Sequence, residues 1–258
     1  MNMILLADLG NRSLTLSVYE NREEVVSFKT TADRMKSADE YADSIRFFLS
    51  SKKIKPDSMK GAILVSVIPS LTKRIQKAIQ LVLNKECLLL SRKLKTGLAI
   101  RMDNPSEVGG NLICAALGAV NDYQDDCLIV CLSSCVSFSI VTKDKQFLGG
   151  ALFPGLRDSV NHMIDSNAQL MEIDLSRPEK AIGKSTASCI DIGVIKGYMG
   201  LIDSLSDSLE REFGKPLKRI LTGPDSRIIK DYMSHKYSYH PNLLMDGLYD
   251  IYMKNQKE

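Results

Sequence analysis

One pattern occurs twice in this chain and limits what it can fold into. Residues 3–9 (MILLADL) form an apolar run, 10–13 (GNRS) a polar turn, 14–20 (LTLSVYE) alternate, and 25–29 (VVSFK) follow as a third run. At 127–153 the order returns as CLIVCL (127–132), a polar turn SSCVS (133–137), then FSIVTK and FLGGALF. Alternation predicts half-buried strands, and a short apolar run between turn residues predicts a buried one. Helical periodicity follows each triplet. A helix over 38–51 places Ala42, Ile45, Phe48 and Leu49 on one face. After a strand at 61–67, Leu71, Ile75, Ala78, Ile79 and Val82 form the stripe of a second helix, with Ser70 expected as its N-cap. Further expectations are a strand at 87–90, helices near 109–121, 154–171 and 185–213, a strand at 219–223 and a closing helix near 242–255. Strands alternating with helices argue for open α/β sheets. The expected division is an N-terminal lobe, 1–115, and a C-terminal lobe, 116–258, with a ligand held between two similar lobes.

Composition removes other classes. The chain has 258 residues, 44% hydrophobic and 25% charged, which excludes disorder, collagen and coiled coil. Its 34 basic and 31 acidic residues leave a net charge of +3, which makes no electrostatic case for nucleic acid or an anionic membrane. No apolar run approaches the ~18 residues of a membrane span. The start, MNMILLADLG, lacks a basic lead and is interrupted by Asp8, so it reads as a first strand and not a signal peptide. A cytoplasmic location is expected. Cys87, Cys114, Cys127, Cys131, Cys135 and Cys189 include no C-x-x-C pair and read as buried, reduced thiols. His162, His235 and His240 are scattered and suggest neither a zinc site nor a triad.

Five segments carry a resemblance. Asp8-Leu9-Gly10-Asn11, DNPSEVGGN at 103–111, LGGALFPGL at 148–156, IGKST at 182–186 and HPNLLMDGL at 240–248 together resemble the type III pantothenate kinases in order and spacing along nearly the whole chain. The resemblance implies the two-lobed actin/hexokinase/acetate-kinase-like (ribonuclease H-like) α/β fold with duplicated strand–turn–strand lobes. It implies a homodimer and ATP-dependent phosphorylation of pantothenate, the first step of coenzyme A biosynthesis, with Mg²⁺ and a monovalent cation such as K⁺.

Residue by residue, the resemblance assigns Asp8 to Mg²⁺, with Gly10 and Asn11 in the first phosphate loop. The family's next Thr is Arg12 here, which can pair with phosphate or with Asp8, or lie on the surface of a plain β-turn. In the second phosphate loop, DFGTATT in the family, Cys131 stands where an acid takes the monovalent cation. Ser133 replaces a glycine, and Ser134 keeps a hydroxyl. A neutral thiol is a poor ligand for a hard cation. In the family's NPxEVGADR, Asn104 to Gly110 are in register and place Gly109 and Gly110 at the substrate. Asn111 falls on the base Asp, and Leu112 on the substrate-binding Arg. Met102 falls on a substrate-contacting Tyr. Thr186 falls on a substrate contact made by the partner subunit, and Thr222-Gly223-Pro224 on the adenosine side. Glu107 and Asp103 are the candidate substitute bases. With catalytic and cation-binding acids replaced, the sequence reads as an impaired, ligand-binding or regulatory relative. The alternative is a functional pantothenate kinase, or another small-molecule kinase, with a variant site. Gly193, Gly197 and Gly200 make a smooth helical face, which the resemblance places at the dimer interface and which spacing alone allows as an internal packing face.

Overall fold

A computed structural model describes residues 3–91, 93–167, 175, 178, 180–233 and 237–256. The chain divides into two compact units. The first comprises residues up to Leu98, Asp103–Asn121 and those from Leu243; the second comprises Ala99–Met102 and Asp122–Asn242.

The first unit opens with β1 (Met3–Leu9), β2 (Ser13–Glu20) and β3 (Glu23–Thr31), an antiparallel meander. Helix α1 (Ala38–Ser51) follows, then β4 (Met59–Ser66), α2 (Pro69–Leu83) and β5 (Cys87–Leu89). The sheet order is β3-β2-β1-β4-β5, with β1, β4 and β5 parallel. Helices α3 (Gly110–Tyr123) and α7 (Leu243–Lys254) complete the unit. Between them in the chain come β6 (Ala99–Ile100), β7 (Cys127–Leu132), β8 (Cys135–Val141), β9 (Gln146–Pro154), α4 (Leu156–Asp165), α5 (Thr186–Phe213), β10 (Lys218–Thr222), α6 (Ser226–Ile229) and β11 (Ser238–Tyr239), all in the second unit. Its sheet runs β11-β10-β7-β8-β9-β6. The segments β3-β2-β1-β4 and β9-β8-β7-β10 have the same directions, so the repeat seen in sequence is a repeat of topology.

The period of two in β1 sorts the first core. Met3, Leu5, Ala7 and Leu9 pack with Leu14, Leu16, Tyr41, Ile45, Phe48, Ile75 and Ile79, under α1 and α2. Ile4 and Leu6 point the other way and pack with Tyr19, Ile63, Val65, Leu117, Leu248 and Ile251, under α3 and α7. Asp8 continues the even series, so it lies on the α3/α7 face at the carboxyl end of β1. The helices of that face touch through glycines. A Cβ on Gly118 would lie 3.2 Å from the Gly247 nitrogen, and one on Gly247 would run into the Cys114 carbonyl oxygen.

Several expectations shift. Ser70 is not the cap of α2: Pro69 takes the first helical position, where a missing N–H is no loss, so the cap falls on Ile68. The Ser66 hydroxyl accepts from the Ile68 N–H at 3.1 Å and bonds Thr72 at 2.7 Å. Only Ser133 and Ser134 separate β7 from β8, because Cys135 already pairs with Pro154. Helix α4 ends at Asp165; residues 168–171 of the expected helix lie outside the described residues, as does His235. The closing helix, expected in the C-terminal lobe, packs its apolar face on β1 and β4 of the first unit, and α3 stays with that unit to Asn121. The six cysteines are not disulfide-bonded; Cys87, Cys114 and Cys127 are buried, Cys131 and Cys135 half-buried, and Cys189 exposed, since α5 turns it outward. Among the described residues no helix is long and apolar enough to cross a membrane.

Candidate active site

Strand register builds the polar edge of the first unit. Asp8 pairs with Thr15 on one side and Val65 on the other, and Thr15 pairs with Lys29. Directly opposed residues share a face. Val65, Asp8, Thr15 and Lys29 therefore form one row across β4, β1, β2 and β3. The turn after Asp8 is tight: the Gly10 N–H donates to the Ser13 carbonyl at 2.9 Å, and the Ala32 N–H donates to the Arg12 carbonyl at 3.0 Å. Asn11 and Arg12 are exposed at its tip. A Cβ on Gly10 would meet only the Ser13 oxygen, at 3.6 Å, so this side of the loop is open to a ligand.

The start of α3 sits at the Val65 end of the row. A Cβ on Gly110 would lie 2.9 Å from Val65 Cγ2 and 3.1 Å from Leu90 Cδ2, so glycine lets the helix approach the sheet. The Asn111 carboxamide folds back on Gly109, whose Cβ would stand 2.6 Å from Asn111 Oδ1. The Gly109 carbonyl accepts from the N–H groups of Leu112 and Ile113 at 3.0 and 3.2 Å. Asn111 and Leu112 are half-buried, and the first turn of α3 contains no acid. Of the candidate substitute bases, Glu107 is exposed and accepts from the Asn104 amide at 2.8 Å. Asp103 is exposed ahead of the same turn.

Burial dominates the electrostatics of Asp8. It pushes the carboxyl up to about 6, against the opposing pull of the Lys29 ammonium. Burial, with Asp8 adding to it, also holds the Cys114 thiol well above its ordinary range, which places Asp8 within the field of α3's first turns. A carboxyl raised on folding holds its proton more tightly in the folded chain, so stability falls as pH rises from about 4 to about 6 and stays lower above that. In metal-free buffer Asp8→Asn should exceed the parent by about 2 kcal/mol in urea melts at about pH 8, with the gap closing by about pH 4. Equal stability at the higher pH would mean that the carboxylate is not desolvated.

The second unit holds the remaining predicted residues. Cys131, near the end of β7, pairs with Ser137 and Thr222. The Ser133 N–H donates to the Cys135 carbonyl at 2.9 Å, and Ser134 is half-buried. This turn is packed on two sides. A Cβ on Gly155 would lie 2.5 Å from both the Ser133 and Ser134 carbonyl oxygens, and Gly223, at φ +91, lies so close to Leu132 that a Cβ would strike its carbonyl. Pro224 leaves no gap, because the Asp225 N–H donates to the Leu132 carbonyl at 3.1 Å. Arg157, in the first turn of α4, pairs with buried Asp225 at 2.8 Å. Met102 lies beside β6, with its thioether over Gly149. Thr186 opens α5, exposed, behind a Ser185–Ser188 capping box. The structure thus groups Asp8, Gly10, Asn11, Arg12, Gly109, Gly110, Asn111 and Leu112 in one unit, and Met102, Cys131, Ser134, Thr186, Thr222 and Gly223 in the other. Thr15, Lys29, Gly155, Arg157 and Asp225 were not singled out from sequence. The first two are found only from register, the others only from packing.

A strand–tight turn–strand edge ending in a half-buried carboxylate, facing a glycine-opened helix start, is suited to a phosphate group and its cation. The sequence profile described as type III pantothenate kinase matches residues 4–208. The chain belongs to the type III pantothenate kinase family. A type III pantothenate kinase from Persephonella marina is 31% identical over 250 residues, covering 97% of this chain and 98% of the relative. One from Dictyoglomus turgidum is 31% identical over 255 residues, covering 98% and 100%. Among solved structures, component A of the (R)-2-hydroxyglutaryl-CoA dehydratase of Acidaminococcus fermentans aligns with a TM-score of 0.56 at 12% identity, covering 99% and 100% of the two chains. The inorganic polyphosphate/ATP-glucomannokinase of an Arthrobacter species aligns at 0.50 and 11%, with the same coverage. At these identities the likeness shows the fold alone, that of actin- and hexokinase-like ATPases and kinases. The pantothenate kinase family uses ATP, and a metal ion accompanies such chemistry. Asp8 fits Mg²⁺, which takes one or two carboxylates together with phosphate oxygens. Cys131 does not fit a monovalent cation, because its thiol is soft and neutral.

Proposed function

We propose that this type III pantothenate kinase binds MgATP and a pantothenate-like acceptor but transfers the phosphoryl group poorly. The observation that carries this reading is the first turn of α3, which presents the Asn111 amide where the family's motif has its base and contains no acid. An amide can orient a hydroxyl but cannot take its proton. Glu107 is engaged by Asn104, and Leu112 offers nothing to a substrate carboxylate. Asp8 would hold Mg²⁺, which when bound neutralises charge on the phosphoryl oxygens. Phosphoryl transfer relies on positioning and electrostatics more than on a base, so the reaction is slowed and not abolished. The test is a coupled assay with ATP, pantothenate, Mg²⁺ and K⁺, comparing the parent with Asn111→Asp. A parent as fast as the variant overturns the reading.

We further propose that the protein is a homodimer through α5. Gly193, Gly197 and Gly200 are exposed, and among the described residues a Cβ on any of them would meet nothing within 4 Å, which favours a face between two copies over an internal packing face. Beside it lies an apolar groove of about 590 Å³ lined by Phe153, Met163, Ile190, Val194, Tyr198 and Leu201. Light scattering should give twice the 28.7 kDa chain mass, and Gly197→Arg should give the monomer. A Gly197→Arg protein that keeps the dimer mass would move the interface elsewhere.

A further inference from the structure

We propose that Lys29, on β3, holds the terminal phosphoryl group of the nucleotide beside Asp8, reaching to it across Thr15; this rests on the kinase reading above. Lys29 stands in the row Val65–Asp8–Thr15–Lys29, on the same face of the sheet as the Asp8 carboxylate. Neighbouring strands are about 4.8 Å apart, so the Asp8 and Lys29 backbones are roughly 10 Å apart. An extended lysine stem covers about 6 Å of that distance. Thr15, between them, is too short to block the path. The ammonium can therefore meet an anion seated next to Asp8.

Two further observations favour a ligand over a plain surface lysine. Lys29 is exposed, and among the described residues it has no salt-bridge partner, so its charge is not committed within the fold. It sits on a strand of a three-stranded meander and not on the turn, so its position is set by the register and not by loop conformation. The turn's own cation, Arg12, is exposed at the tip.

The charge balance also fits. A metal held by Asp8 would offset part of the charge of a terminal phosphoryl group, and Lys29 on the same sheet face would offset charge that remains.

Calorimetry on the full-length protein with Mg²⁺ and a non-hydrolysable ATP analogue, and separately with ADP, tests the assignment. Lys29→Met should weaken the analogue about 10- to 100-fold, the loss expected for a hydrogen bond between charged groups. ADP, which lacks the terminal group, should change by less than about threefold, and Lys29→Arg should stay near the parent. Thermal melts of the variants serve as the folding control. If the parent binds both nucleotides and Lys29→Met binds the analogue equally well, the assignment fails while the kinase reading stands. Equal weakening of analogue and ADP would also overturn it, by removing the preference for the terminal group. A parent that binds neither nucleotide would overturn the kinase reading, and this assignment with it.

Discussion

Asn111→Asp should raise the rate of ATP-dependent phosphorylation of pantothenate by roughly 10²- to 10⁴-fold, the usual contribution of a general base. The site is prepared for the change. Asp is isosteric with Asn, and the carboxamide already rests in the space that Gly109 leaves by lacking a Cβ. The new carboxylate would lie in the first turn of α3, where unsatisfied N–H groups and the helix dipole favour its ionised form at neutral pH. It would then accept the acceptor's hydroxyl proton while Asp8 remains with the metal. Adding Leu112→Arg and Cys131→Asp should increase the gain, but less than multiplicatively, since such groups act together. The measurement is the initial rate at saturating ATP and pantothenate, against a blank without enzyme. If the triple variant remains at the blank rate, missing acids are not what limits this protein.

Gly247→Ala should destabilise the first unit by about 3 kcal/mol, the upper part of the range for overpacking a tight contact. Its added carbon would overlap the Cys114 carbonyl oxygen and approach the Gly118 nitrogen to 2.9 Å, so α3 and α7 would have to separate. Neither atom belongs to a flexible side chain that could swing away. For a chain of this size the melting temperature should fall by roughly 6–12 °C. Gly10→Ala is the contrast: its new methyl group would meet the Ser13 oxygen at 3.6 Å, an ordinary contact, so its stability should change by less than about 1 kcal/mol. Equal melting of the two variants would mean that the α3–α7 contact is looser than described.

The parts of the fold that were legible in sequence are those written by local period. The alternation in 14–20 marked β2, and the apolar spacing of Leu71, Ile75, Ala78, Ile79 and Val82 marked the buried stripe of α2. Asp8, Gly10 and Asn111 stand out in sequence because motif spacing carries them. Lys29 was not, because 21 residues separate it from Asp8 and only the two antiparallel registers bring them into one row. The compact units differ from a linear division at 115/116 for a related reason: whether a terminal helix covers the first sheet or the second depends on which apolar face lacks a partner, and linear order does not say. The two-residue strands β6 and β11 are too short to show a period. The exposure of Cys189 depends on which side of a long, mixed helix faces water.

The turn between β2 and β3 holds Asn21 and Arg22 at φ 52 and 68, and the Arg22 guanidinium is fastened to Asp250 of α7 by bonds of 2.8 and 3.1 Å. Its closure is thus tied to a segment made 228 residues later. The second unit's long central stretch can condense during synthesis. The opening sheet must wait with Ile4, Leu6 and Ile63 bare on one side until α7 has been made, a delay of tens of seconds at roughly 5–20 residues per second. Nascent chains stalled before residue 243 should therefore be the form of this protein that most needs a chaperone.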